Sequence, residues 1–222
     1  AKLGDEPALV SIIGKDLHRF QIYEALSNAG VDSRYVKETL TETPQSVILY
    51  SPDGMRQINV DLKDIQNQHY PTDAFNEALS QTELAVLCNI NFSRDYIARA
   101  RSMGIPIATD VHSISSLDDE YNLDFMAAAD ILFCSDELLP CSPEAWAENI
   151  LTRYHARILV IGLGAKGAYL AVRDDNIRLR FPAVYTRPVV NTIGAGDALF
   201  SCFLHYYLKT KNATLSLKKA MV

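Results

Sequence analysis

No stretch of this 222-residue chain approaches the roughly 20 consecutive apolar residues of a membrane-spanning helix. The opening residues, Ala1 to Asp16, lack a basic region followed by an apolar core, so no signal peptide is read there. Cysteine is scarce. Cys88, Cys134, Cys141 and Cys202 are irregularly spaced, no pair has zinc-ligand or redox C-x-x-C spacing, and the five histidines are scattered. Each cysteine sits in an apolar segment such as Ala85-Val86-Leu87-Cys88, and is expected as a buried small apolar residue of a reduced, cytoplasmic protein. Basic charge is also short. Against 27 acidic residues stand 21 basic ones, giving a net charge of -6 and a pI near 5.3. No basic field is present to draw nucleic acid or anionic lipid, and neither nucleic acid nor a membrane is expected as a partner. Internal repeats, low-complexity tracts and long linkers are missing too. With 48% hydrophobic and 22% charged residues the composition is ordinary for a globular chain, and the length suits one domain over 1–222.

What is present is an alternation of apolar runs of strand length with amphipathic stretches of helix length. Ala8 to Ile13 ends at Gly14, and Leu17 to Ala29 then has helical spacing until Gly30. Leu84 to Cys88 predicts a strand, and Ser93 to Met103 a helix with Ser93 as its N-cap. Ile105 to Thr109, Ile131 to Phe133 and Ile158 to Ile161 continue the strands, with a helix over Pro143 to Tyr154. Continuous apolar strands separated by helices imply a mostly parallel sheet covered on both faces, an α/β layered fold. Two hairpins interrupt the rhythm. Ser46 to Tyr50 and Met55 to Asp61 flank a turn at Asp53-Gly54, a ribbon that either projects as a flap or extends a sheet edge. Ala168 to Val172 and Ile177 to Phe181 flank Asp174-Asp175-Asn176.

Chemistry concentrates in two glycine segments. Asn191-Thr192-Ile193-Gly194-Ala195-Gly196-Asp197 runs into a buried helix at Ala198 to Leu204. Free N–H groups at a helix start attract phosphate or a developing anion, and Asp197 stands in the first turn, placed to take a proton from a hydroxyl. A tight loop carrying a helix-start acid is the other reading of the same residues. Gly162-Leu163-Gly164-Ala165-Lys166-Gly167 follows a parallel strand. It is neither a Walker loop nor a dinucleotide fingerprint, since it leads into a strand, yet it lies at the carboxyl end where open α/β sheets bind ligands. Two such loops favour a nucleoside triphosphate over a lone phosphate.

Asn191 to Asp197 matches in full the C-terminal signature of the ribokinase-like (PfkB) carbohydrate kinases: Asp or Asn, Thr, any residue, Gly-Ala-Gly-Asp. Ser11 to Asp16 resembles that family's early strand and Gly-x-Asp turn, the Asp53-Gly54 hairpin falls where it carries a substrate lid, and Gly162 to Gly167 falls on its ATP-phosphate loop. The resemblance implies a three-layer ribokinase-like fold, a lid at about 43–61, and an ATP-dependent kinase phosphorylating a sugar hydroxyl. By the same resemblance Asp197 is the general base, and the N–H groups of Gly194, Ala195 and Gly196 form the anion hole. Gly162, Gly164 and Gly167 line the ATP phosphates with Thr192 and Ser135. Lys166 adds charge there or stands as a solvated strand-end lysine.

The sequence also departs from the pattern. Asn191 replaces the Asp that several members use near a monovalent cation, which argues against potassium dependence. At the family's magnesium-linked Asn-x-x-Glu motif stand Ser135 and Leu138, with Glu137 one residue early as an indirect metal candidate. Magnesium is expected because the phosphate charge needs neutralising. The family's N-terminal sugar-binding segment and its last helices have no counterpart, so the chain is expected to be truncated at both ends. A nucleoside kinase of the same fold, or a catalytically weak nucleotide- or sugar-binding regulatory protein, stands as the alternative. Lids of this family pair between subunits in some members, leaving a homodimer through the lid and a monomer both open.

Overall fold

A computed structural model describes residues 1–50, 56–185, 189 and 191–222. Its contacts fall into two units, Ala1–Thr82 with Ile90–Tyr96, and Glu83–Asn89 with Ile97–Val222.

In the first unit β1 (Ser11–Gly14) pairs in parallel with β2 (Val36–Leu40), and α1 (His18–Asn28) supplies the crossover that a parallel pair requires. The end of α1 follows from Gly30, which adopts φ 67°. There its N–H reaches the Ser27 carbonyl while Val31 N–H reaches Leu26, satisfying the last helical carbonyls. The ribbon forms as β3 (Gln45–Tyr50) and β4 (Arg56–Asp61), antiparallel with Ile48 opposite Ile58. Among the described residues it forms a two-stranded sheet of its own, hydrogen-bonded to no other strand. The Asp53-Gly54 turn lies outside the described residues. α2 (Thr72–Leu79) buries Phe75, Ala78 and Leu79, and α3 (Asn91–Arg94) buries Phe92 and Ser93.

The second unit is built on a six-stranded sheet in the order β10-β9-β8-β7-β6-β5. β5 (Ala85–Val86), β6 (Ile107–Ser113), β7 (Ile131–Ser135) and β8 (Ile158–Gly162) run parallel. β9 (Ala168–Val172) and β10 (Ile177–Phe181) add the second hairpin antiparallel. The helices are α4 (Ile97–Ser102), α5 (Leu123–Ala128), α6 (Pro143–Arg153), α7 (Ala195–Thr210) and α8 (Ala213–Ala220). Alternation along the strands explains the core. Ile131, Phe133, Ile158, Val160, Leu170 and Val172 face Phe200, Phe203 and Leu204 of α7 and Leu217 of α8. Residues between them, Leu132, Leu159, Ile161 and Ala171, are equally buried. Cys134, on that opposite face, meets Trp146 of α6. Both faces are therefore covered, as the unbroken apolar runs required.

Three expectations are corrected. The helix expected over Ser93 to Met103 is two helices, α3 and α4. Tyr96 at the break is buried, its ring stacked on Phe75 at 3.9 Å between centroids and its hydroxyl donating to the Tyr70 carbonyl. Ser93 lies inside α3 and is buried, so it is not an N-cap. Of the cysteines only Cys134 is buried; Cys88 and Cys141 are exposed and Cys202 is intermediate, because Cys88 follows the two-residue β5 and Cys141 precedes α6.

Candidate active site

The carboxyl ends of the parallel strands in the second unit bring chemistry-bearing residues side by side. Ser113 at the end of β6 is in register with Ser135 at the end of β7, which in turn opposes Gly162 at the end of β8. Ser135 Oγ accepts the N–H of Glu137 at 3.3 Å, and Ser113 Oγ donates to Glu137 Oε2 at 3.0 Å. Two strand ends thus hold Glu137, Ser113 at its carboxylate and Ser135 at its backbone N–H. Ser113 ends a local irregularity, for the β6 register shifts between Asp110 and Ser113. Within it His112 adopts φ 56° and gives its N–H to Asp110 Oδ1 at 2.8 Å. A non-glycine residue in the left-handed region at a strand end is strain of the kind concentrated at functional sites.

The β8–β9 loop is a short turn over Gly164–Lys166, closed by Lys166 N–H to the Leu163 carbonyl and Leu163 N–H to the Gly167 carbonyl. Gly164 has φ 54° and Gly167 φ 103°. Gly167 is required for a second reason: a Cβ there would fall 1.9 Å from the Phe181 carbonyl oxygen and 2.7 Å from Ala183 N. Among the described residues the N–H groups of Gly164 and Ala165 have no backbone acceptor.

The other glycine segment opens α7. Gly194 is its N-cap at φ 73°, a left-handed conformation that turns the chain into the helix. Ile193 N–H is held by Asn191 Oδ1 at 3.2 Å, and Ala195 N–H by the Thr192 carbonyl at 3.2 Å. Gly196 N–H has no backbone acceptor among the described residues. Residues 191–197 are all exposed. Asp197 stands in the first turn, with its Oδ2 4.0 Å from where a Cβ on Gly194 would lie. The helix dipole favours a carboxylate there.

Electrostatics ties Asp197 to the strand ends. The Cys88 thiol is pushed above its usual range, first by the protein atoms crowding it and then by the Asp197 and Asp110 carboxylates. The residue still reaches solvent. Sequence reading missed Cys88, Asp110 and Ser113 as members of this neighbourhood. Their position at or just beyond the carboxyl ends of parallel strands was the available signal. The arrangement places a carboxylate, a helix start with an unbonded N–H and a glycine turn at one end of a sheet, groups chemically suited to transferring an anionic group to a hydroxyl.

The profile of the pfkB family carbohydrate kinases matches residues 1–221. The acarbose 7(IV)-phosphotransferase of Actinoplanes sp. is 26% identical over 172 residues, covering 77% of this chain and 57% of that protein. The chain thus spans less than two thirds of that relative's length. The deoxyribokinase of Salmonella typhi is 24% identical over 237 residues, covering 100% of this chain and 75% of its own. The solved microbiome-derived acarbose kinase Mak1 superposes with a TM-score of 0.86 at 26% identity, over 99% of this chain and 73% of that one.

Proposed function

The chain belongs to the pfkB family of carbohydrate kinases, and on that premise we propose that it transfers the γ-phosphoryl group of ATP to a hydroxyl of a sugar or sugar derivative. The observation that carries this reading is the opening of α7, where left-handed Gly194 leads directly into a first-turn Asp197. In the proposed step Asp197 takes the proton of the acceptor hydroxyl as its oxygen bonds to the γ-phosphorus. The bond from that phosphorus to the β,γ-bridging oxygen breaks, and ADP leaves with the electron pair. Charge growing on the transferred group is met by the N–H groups at the start of α7. Gly196 N–H is available at once, whereas Ala195 N–H must exchange its 3.2 Å contact with Thr192 for the phosphate. Gly194 completes that set.

The nucleotide phosphates are assigned to Gly162, Gly164, Lys166 and Gly167, with Ser135 and Thr192 beside them. Among the described residues no group of three or more metal-ligating side chains is assembled. Magnesium therefore fits as an ion carried by the triphosphate and completed by few protein groups, its usual mode. Glu137, fixed by Ser113, is the carboxylate we assign toward it; the ion supplies charge neutralisation on the phosphates. Potassium is not part of the proposal, because Asn191 stands where several family members carry Asp near a monovalent cation. We read the hairpin at about 43–61 as the lid of a single kinase domain.

The relatives are named for acarbose and deoxyribose kinase activities, so the acceptor panel includes acarbose, deoxyribose, hexoses, pentoses and nucleosides. ADP release is measured on each, beside Asp197→Asn. Acceptor-dependent turnover that falls by about 100-fold or more in the variant, with ADP affinity retained, is the expected result. Equal turnover in both proteins overturns the assignment of the base.

A further inference from the structure

Tyr185 is an exposed aromatic residue, 62% accessible, so burial does not explain its placement. Its hydroxyl donates to the Ala165 carbonyl at 2.8 Å, across twenty residues of sequence. Ala165 is the middle residue of the Gly164–Lys166 turn. We propose that Tyr185 is a positioning residue for the nucleotide, holding the β8–β9 turn in its phosphate-binding form through this one hydrogen bond. The inference rests on the reading of Gly162–Gly167 as the nucleotide loop.

The peptide unit joining Ala165 to Lys166 is gripped at both ends. Its N–H donates to the Leu163 carbonyl at 3.0 Å, and its carbonyl accepts from Tyr185. A peptide held at both ends cannot rotate without breaking two bonds. Released at its oxygen, it keeps only the N–H contact with Leu163, and the two peptides before it carry the Gly164 and Ala165 N–H groups that have no backbone acceptor among the described residues. Gly164, at φ 54° with open space around its α-carbon, opposes such rotation little. The base of the loop needs no such help, because the backbone of residues 181–183 is packed hard against Gly167. The chain that walls the base continues to Tyr185, whose hydroxyl fixes the apex. Base and apex are therefore held by one segment through different means, van der Waals contact at one and a side-chain hydrogen bond at the other.

The test is Tyr185→Phe in the intact protein, which removes the hydroxyl and keeps the ring. A lost hydrogen bond of ordinary net strength predicts that Kd for ADP and KM for ATP rise about threefold to tenfold together. kcat and the KM of the acceptor stay within twofold, and the melting temperature stays within a degree or two. Hydrogen exchange of the peptide covering residues 163–167, measured without nucleotide, quickens in the variant. Nucleotide constants and exchange both unchanged overturn the role of Tyr185, as does a fall confined to kcat. Failure of the wild-type protein to bind ADP at all overturns instead the nucleotide-loop reading beneath it, while the exchange measurement still reports whether the hydroxyl holds the turn.

Discussion

At the scale of single residues, glycines that look alike in sequence have unlike duties. Gly164 and Gly167 belong to the same loop and both have positive φ. A Cβ on Gly164 meets nothing within 4 Å, so Gly164→Ala carries only the left-handed penalty of about 1–2 kcal/mol. Gly167 adopts φ 103° and ψ -127°, a region essentially reserved for glycine, and its Cβ would enter the backbone of residues 181–183. Gly167→Ala is therefore expected to destabilise clearly more than Gly164→Ala. Urea unfolding of the two variants beside wild type measures the difference, and equal midpoints would show that the 181–183 segment yields freely. The loop and its glycines were legible from the spacing alone. The difference was not, because it comes from a segment fourteen or more residues away and not from local backbone preference. The same holds for Cys88, which looked like one more apolar residue. Only the fold reveals the Asp197 and Asp110 carboxylates around it.

At the scale of elements, the β3–β4 ribbon shows how a turn anchors its neighbour. Thr43, two residues before β3, gives its N–H to Asp16 Oδ2 and its hydroxyl to Asp16 Oδ1 at 3.1 Å, while Gly14 N–H donates to Thr43 Oγ1 at 3.0 Å. A Cβ on Gly14 would fall 2.3 Å from Thr43 N, so the two segments interlock. The hydrogen bond from Thr43 N–H, with smaller help from its hydroxyl and from His18 N–H, draws the Asp16 carboxyl below its ordinary range. A carboxylate with a lowered folded value stabilises above the unfolded value near 3.9, and that contribution disappears as pH falls through the folded one. The Thr43 amide resonance is accordingly expected to titrate below about pH 4 and to lose that titration in Asp16→Asn. An unchanged titration in the variant would assign it to another carboxyl. The sequence marked Gly14-Lys15-Asp16 as a turn but not its partner. β2 escaped for a related reason: only Val36 and Leu40 in it are apolar and buried, four apart, a spacing that fits a helix as well as a strand. The helix break at Asp95-Tyr96 was equally hidden, since Tyr96 there stacks on Phe75, a residue twenty-one positions away in another helix.

At the scale of the molecule, the mostly parallel sheet, its order of apolar strands and the start of α7 were written in hydrophobic periodicity and one motif. Both glycine segments and Asp197 fall in the second unit, so the free energy of nucleotide binding should be felt there. The chain offers a probe in the right place. Its one tryptophan, Trp146, lies on α6 and is 3% exposed, so its emission follows the unfolding of that unit. A ligand that binds only the folded form at 100 times its dissociation constant adds about 2.7 kcal/mol. For a body of this size that corresponds to a rise of about 5–10 °C in the midpoint. Magnesium-ADP is therefore expected to move the Trp146 transition by that amount, and Asp197→Asn, which keeps the binding groups, to retain the shift. If calorimetry shows ADP bound while the Trp146 transition stays still, the phosphates are held by residues outside the second unit, and the assignment of Gly162 to Gly167 fails with it.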